Sequence, residues 1–300
     1  MKIVLTGSLG RIGKPLTQSL VKKGQSVTVI SSKPERQEEI ETLGAKAAIG
    51  SMHDVDFLTN TFKGADAVYL MIAWDAIGNS FDKSIDFPTE FSKIASKYKQ
   101  ALKQSGVKKA VLLSSIGAHT NQGIGSLSVY KGVEDLMNQL PDDVSIKFIR
   151  PVAFYPNLFR FMQSIKTQGA IIQSYGGDTK EPWVSPVDIA NVIVEELGKP
   201  FEGRSFRYVA SDEVSPNEVA TILGEAIGNQ ELEWKVVPAK ELLKGVRESG
   251  MNEWVANGFV EMQHAQGSGM LYEDFYKNKP MLGEIKLTDF AKEFASVYNQ

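Results

Sequence analysis

The stretch "TGSLGRIGKPL", residues 6 to 16, places glycines at 7, 10 and 13 between the apolar run "KIVL" and a segment of helical pattern. No other feature of the chain restricts its fold as much. A glycine turn that leaves a strand and opens a helix belongs to a βαβ unit, and that unit requires a parallel partner strand. In this setting Gly7 permits the tight turn, Gly10 lets backbone approach a pyrophosphate, and Gly13 lets the helix pack on the strand. The helix start then offers unpaired amide donors and a partial positive charge to an anion. Ser8, Leu9, Arg11 and Ile12, interleaved with the glycines, belong to the same expected dinucleotide contact.

Short apolar runs alternate with helical patterns through the first half of the chain. "KIVLTG" reads as a strand, followed by a helix from near Ile12 to before Gly24. "SVTVIS" reads as a strand and "ERQEEIETLG" as a helix ending at Gly44, with further strands at "KAAIG", "DAVYLMI" and "KAVLLSS". Between the last two, Phe91, Ile94, Ala95, Tyr98 and Leu102 recur at helical spacing, with Pro88 in the first turn and Gly106 as a C-terminal cap. This rhythm predicts an α/β fold of the Rossmann type, a doubly wound parallel sheet with helices on both faces.

Beyond about residue 150 the rhythm loosens. "NLFRFMQSIKTQG" and "PVDIANVIVEELG" read as helices, "IIQSY" and "SFRYVA" as extended. In "SPNEVATILGEAIG", Ser215, Pro216 and Glu218 form a helix-start signature. The "MNEWVANGFVEMQHAQ" helix carries Trp254, Phe259 and Met262, expected as core or as a pocket lid. Residues 1–153 are expected to form the dinucleotide-binding domain, with about 184–212 returning to it. Residues 154–300 are expected to form a smaller, mostly helical substrate part over the carboxyl edge of the sheet, where open α/β sheets bind ligands.

Composition narrows the function. The net charge is −3 with no long basic run, so an electrostatic footprint for nucleic acid is missing. No apolar run reaches the ~18 residues of a membrane helix, and the chain opens on a strand pattern rather than a leader. Cysteine is absent, which excludes disulfides and thiolate chemistry and fits the cytoplasm. His53, His119 and His264 are scattered, so no metal site is expected, and Asp142 and Asp143 sit in a turn signal.

The end of the second strand bears on which dinucleotide is held. NAD-specific sites carry an acid there for the ribose 2′-hydroxyl. Here the strand ends "VTVISSKPER", so Ser31, Ser32 and Lys33 stand in that place. Two hydroxyls and a cation suit a 2′-phosphate, with Arg11 as a second cation from the other side. NADP(H) is the expected preference, NAD(H) being possible.

With "TGSLGRIG", "FKGADAVYLM", "SGVKKAVLLSS", "RPVAFYPNL" and "EPWVSPVDIA" spread over nearly its whole length, the chain resembles the NmrA-like family of atypical short-chain dehydrogenase/reductases. The resemblance implies a Rossmann domain binding NAD(P)H and a small C-terminal part over the nicotinamide end. It also implies either a reductase, of quinones or dyes, or a cofactor-sensing regulator with a protein partner. Met71, Ala73, Ser114, Ser115, Pro151 and Phe154, at strand ends on the carboxyl edge, are the further cofactor contacts it suggests.

Ordinary members of the wider superfamily pair a Tyr with a Lys four residues on, which lowers the Tyr pKa for proton exchange. In "SVYKGVEDLM" Tyr130 is present, but Glu134 stands where that Lys would be, and Lys131 points away by about 100° on the helix. A carboxylate near Tyr130 is expected to raise its pKa. This argues against alcohol dehydrogenation and against a nucleotide-sugar epimerase, the weakest of the three readings. Hydride delivery to an electron-poor acceptor asks mainly for proximity and a shielded pocket. The expected lining is Trp74, Tyr130, Phe154, Tyr155 and Trp183, with Asn157 orienting a small-molecule substrate. Tyr130 and Ser115 are the catalytic candidates.

Overall fold

The strand Ala67–Leu70 is buried at every position, which a sheet allows only when both its faces are covered. The computed structural model describes residues 1–300, the side chain of Asp75 apart. Its strands, in chain order, are β1 (Lys2–Leu5), β2 (Ser26–Ser31), β3 (Lys46–Ile49), β4 (Ala67–Leu70), β5 (Lys109–Leu113), β6 (Ser145–Pro151), β7 (Ala153–Phe154), β8 (Ala170–Gln173), β9 (Glu181–Val184), β10 (Arg204–Val209), β11 (Asp212–Val214) and β12 (Glu233–Val236). Seven of them form one sheet in the order β10-β6-β5-β4-β1-β2-β3, and every pairing in it is parallel. The chain winds outward from β1 in one direction and from β4 in the other. The connections leaving their carboxyl ends therefore run in opposite directions, and the crevice between those connections is where such sheets bind ligands.

Alternate residues of the strands serve opposite faces. Ile3, Leu5 and Tyr69 pack with Leu16 and Leu20 of the helix Gly13–Lys22 and with Ile189 and Ile193 of the helix Pro186–Gly198. Val4, Val68 and Leu70 pack instead with Leu58, Phe91, Ile94 and Val133, from the helices Val55–Phe62, Phe87–Ser105 and Ser128–Met137. The long helix starts and stops as its sequence dictates: Asp86 accepts from the Thr89 amide, and Gly106 ends it at φ +77°.

A third apolar cluster is built wholly from residues after 154. Leu223, Trp234, Phe290 and Phe294 are central to it, contributed by the helices Pro216–Ile227 and Leu287–Tyr298 and by β12. Ser215 and Glu218 form the reciprocal cap read from the sequence, at 3.1 and 2.7 Å. No helix is long and apolar enough to cross a membrane.

Two helical readings need correction. The helix expected over "ERQEEIETLG" is shorter, a 3-10 turn at Pro34–Arg36 leading into Gln37–Thr42, because Pro34 starts a tight turn before the helix proper. Likewise "NLFRF" lies in a 3-10 turn, Tyr155–Phe161, and only Met162–Gln168 is α-helical. There Arg160 Nε donates to the Asn157 carbonyl at 2.9 Å, occupying an acceptor that a regular helix would use. Tyr155, expected in the pocket lining, belongs to the third cluster instead. It is fully buried, stacks on Phe290 at 5.6 Å and donates its hydroxyl to the Ile285 carbonyl at 3.2 Å. Successive residues of extended chain point to opposite sides, so Phe154 facing the crevice sends Tyr155 into the core.

Candidate functional site

The glycine turn lies at the carboxyl end of β1, tied to both neighbouring strands by Thr6 N–H to Tyr69 O and Ser8 N–H to Ile30 O, each at 3.0 Å. Gly7 sits at φ +88°, and a Cβ there would collide with the Met71 sulfur. A Cβ on Gly13 would collide with the Ser8 carbonyl oxygen. The chain itself thus demands the first and third glycines. Gly10 differs, because a Cβ there would meet only the Gly7 carbonyl, at an ordinary 3.7 Å. Its smallness serves whatever approaches the exposed turn. The helix Gly13–Lys22 begins without a side-chain cap and without an acid in its first turn, leaving amide donors and partial positive charge for an anion. These features fit the pyrophosphate of a dinucleotide.

From this turn a cleft of about 550 Å³ runs along the strand ends and under the C-terminal part. The structure brings to it Gly7, Gly10, Arg11, Ile12 and Gly13 from the turn, and Met71, Ala73 and Trp74 after β4. Ser114, Ser115 and Tyr130 come from the end of β5 and the helix Ser128–Met137, Pro151 and Phe154 from β6 and β7, Asn157 from the 3-10 turn after β7, and Trp183 from β9. Other expected contacts are placed elsewhere. Leu9 is buried in the core against the β1 face. Ser8 donates its hydroxyl to Ser31 at 3.0 Å, so each serves the other at the turn rather than lining the cleft. Ser32 and Lys33 are exposed beyond the end of β2, also outside it. Arg11 is expected as a second cation for the 2′-phosphate, from the side opposite Lys33. Its guanidinium lies instead over the Phe159 ring, 5.2 Å from the centroid, because that face attracts a cation.

Burial pushes the Tyr130 phenol up, but Glu134 is not the cause. That carboxylate turns away from Tyr130 to accept from Ser114 at 2.5 Å and from Arg150 at 2.9 and 2.6 Å, in a pair almost wholly withdrawn from water. Arg150 also lies over Phe206 at 4.2 Å and 3.6 Å from Asp274, which accepts from Tyr208 at 2.7 Å. Lys131 pairs with Asp135 on the outer face. No cation takes the place of the usual Lys beside Tyr130 among the described residues, and Ser114 is held by Glu134. Ser115 is the serine left to the cleft.

The far wall is legible in the sequence only through Phe259 and Met262, expected as core or as a pocket lid. Arg160, Tyr175, Trp234, Gln266 and Tyr272 line it, as do Phe259 and Met262 of the helix Glu253–Gly267. That helix is pinned against the Gly125–Leu127 turn, for a Cβ on Gly258 would come within 2.7 Å of the Ser126 amide nitrogen. Trp254, at its start, stacks on Phe87 at 5.8 Å and belongs to the core. Behind the wall lies Glu181, 3% exposed, accepting from Tyr272 at 2.6 Å and from Tyr175 at 3.1 Å. Gln266 donates to both hydroxyls, at 2.9 and 3.3 Å. An acid within the otherwise apolar strand "EPWV" was the one available signal.

Burial pushes the Glu181 carboxyl up to about 7. An acid whose pKa is raised on folding contributes stability fully present below its unfolded value, near 4.5, and lost as pH rises through about 7. Between those limits the penalty grows to about 3 kcal/mol, at about 1.4 kcal/mol per unit. Denaturant titrations of wild type and Glu181→Gln should therefore converge at low pH and diverge, in the variant's favour, as pH rises. Parallel pH profiles would refute the assignment of this titration to Glu181.

Residues 7–140 match the family described as NAD(P)H-binding. A curated relative, an uncharacterized protein of Schizosaccharomyces pombe, is 22% identical over 251 residues, 76% of this chain and 81% of its own length. Among solved structures, an NADPH-dependent quinone oxidoreductase from Escherichia coli, complexed with NADPH, superposes with a TM-score of 0.78. It is 15% identical, over 97% of this chain and 99% of that one. A nucleoside-diphosphate-sugar epimerase from Staphylococcus aureus gives the same TM-score at 18% identity, over 97% and 100%. Triphenylmethane reductase from Citrobacter sp. gives 0.74 at 18%, over 98% and 99%. At these identities the likeness is one of fold.

Proposed function

We propose that the chain is an NADPH-dependent reductase of a small, planar, electron-poor acceptor such as a quinone, a reading supported by the match of residues 7–140 to the NAD(P)H-binding family and by a fold shared over nearly the whole chain with an NADPH-dependent quinone oxidoreductase. The observation that carries this reading is a single continuous cleft joining an uncapped glycine turn to an aromatic wall. The lack of an acid at the end of β2, where Ser31, Ser32 and Lys33 stand, favours NADPH over NADH. The quinone oxidoreductase and triphenylmethane reductase structures were solved with NADPH and NADP(H).

When bound, the reduced dinucleotide supplies a hydride. The protein's part is positional. Gly7, Gly10 and Gly13, with the amides opening the helix, hold the pyrophosphate. Phe154 and Trp74, at the carboxyl edge, would confine a flat acceptor and exclude water, and Ser115 offers a hydroxyl beside it. With Glu134 where the usual Lys would stand, and bonded to Arg150, Tyr130 lacks the cation that makes it a base, which disfavours an epimerase.

The test is the loss of NADPH absorbance with a panel of quinones, triphenylmethane dyes and enals. Turnover of at least one quinone is expected, with kcat/KM lowered about tenfold in Phe154→Ala, or about 1.4 kcal/mol of transition-state binding. No turnover across the panel, with NADPH still bound, would refute the reductase and leave a cofactor-sensing protein.

A further inference from the structure

Hydride alone does not complete the reduction of a quinone, because the oxygen that gains charge also needs a proton. The usual source in this superfamily is missing, and Tyr130 is held protonated by burial with no cation beside it. The opposite wall holds a different arrangement. Glu181 is buried with two hydroxyls and no cation as partners among the described residues. Both hydroxyls, Tyr272 and Tyr175, belong to residues that line the cleft, as does Trp183, whose indole N–H also acts on the Glu181 carboxyl. Burial outweighs the hydroxyls that donate to this carboxyl and makes its charged form costly, which favours the protonated one.

Resting on the reductase reading above, we infer that Glu181 stores the proton that completes the reduction and passes it to the acceptor oxygen through Tyr272 or Tyr175. The step balances: the acceptor gains one hydride and one proton, the quinone becoming a hydroquinone. The tyrosine hydroxyl gives its proton to the acceptor oxygen and takes one from the Glu181 carboxyl. Glu181 is left as a carboxylate that solvent reprotonates. Other titratable groups near this relay are Arg160, whose charge acts on Tyr175, and Tyr276, on which Glu181 and Glu213 both act.

The experiment compares wild type, Glu181→Gln, Tyr272→Phe and Tyr175→Phe with 1,4-naphthoquinone and with a cationic triphenylmethane dye, which takes hydride on carbon and needs no proton. Glutamine keeps the size and an acceptor oxygen for Tyr272 but carries no transferable proton. The expected result in Glu181→Gln is a fall of about 100-fold in the quinone-to-dye ratio of kcat, carried by kcat rather than KM. One of the two tyrosine variants should share the fall. Wild-type quinone turnover should decline as pH rises through about 7, a dependence missing from Glu181→Gln. Independently of turnover, the infrared band of a protonated carboxyl should titrate over the same range in the free protein and vanish in the variant. Equal losses with both acceptors, or an unchanged pH profile, would overturn the relay while leaving the reductase standing. A wild type inert towards both acceptors would overturn the reductase reading, and the relay with it.

Discussion

Replacing Glu134 by alanine is expected to cost about 3–5 kcal/mol of stability, the range for removing one partner of a buried ion pair. The side chains of Arg150 and Glu134 are 8% and 5% exposed, and both carboxylate oxygens accept from the guanidinium. Without Glu134 the cation keeps only Asp274, at 3.6 Å, and the faces of Phe206 and Tyr208. Ser114 loses its acceptor as well. A double replacement, Glu134→Leu with Arg150→Met, should cost less than Glu134→Ala alone, since it leaves no unpaired charge. Urea unfolding of the three variants measures this. A loss below about 1 kcal/mol in Glu134→Ala, the scale of an exposed pair, would show that water reaches Arg150.

Gly10→Val should separate binding from folding. The protein offers a Cβ room at this position, so the thermal midpoint should stay close to wild type. A branched side chain on the exposed turn would nevertheless occupy the space a pyrophosphate needs against the amides. The expected weakening of NADPH binding is about 100-fold, or about 3 kcal/mol. Gly13→Ala should behave differently, because its Cβ has no room beside the Ser8 carbonyl oxygen and stability falls together with binding. Unchanged NADPH affinity in Gly10→Val would place the dinucleotide elsewhere.

How far the sequence reveals this molecule depends on whether a feature is local. The glycine turn, the caps at Ser215 and Gly106 and the buried strands are each written in a few adjacent residues, and the doubly wound parallel sheet follows from their rhythm. Pairing across the fold is not written that way. Glu134 is legible as standing where the superfamily's Lys would be, yet its partner Arg150 lies on β6 and not on that helix. The hand of a short turn decides Tyr155, since one extended residue separates cleft from core. Arg11 follows an aromatic ring contributed from well over a hundred residues away. The far wall assembles Arg160, Tyr175, Glu181 and Tyr272, which share no period or motif and meet only when the C-terminal part closes over the sheet.

Calorimetric titration of the purified chain with NADPH and, separately, with NADH is the most direct test of a dinucleotide seated on the glycine turn. Saturable one-to-one binding of NADPH, tighter than that of NADH, is the expected result. A chain that binds neither would contradict it.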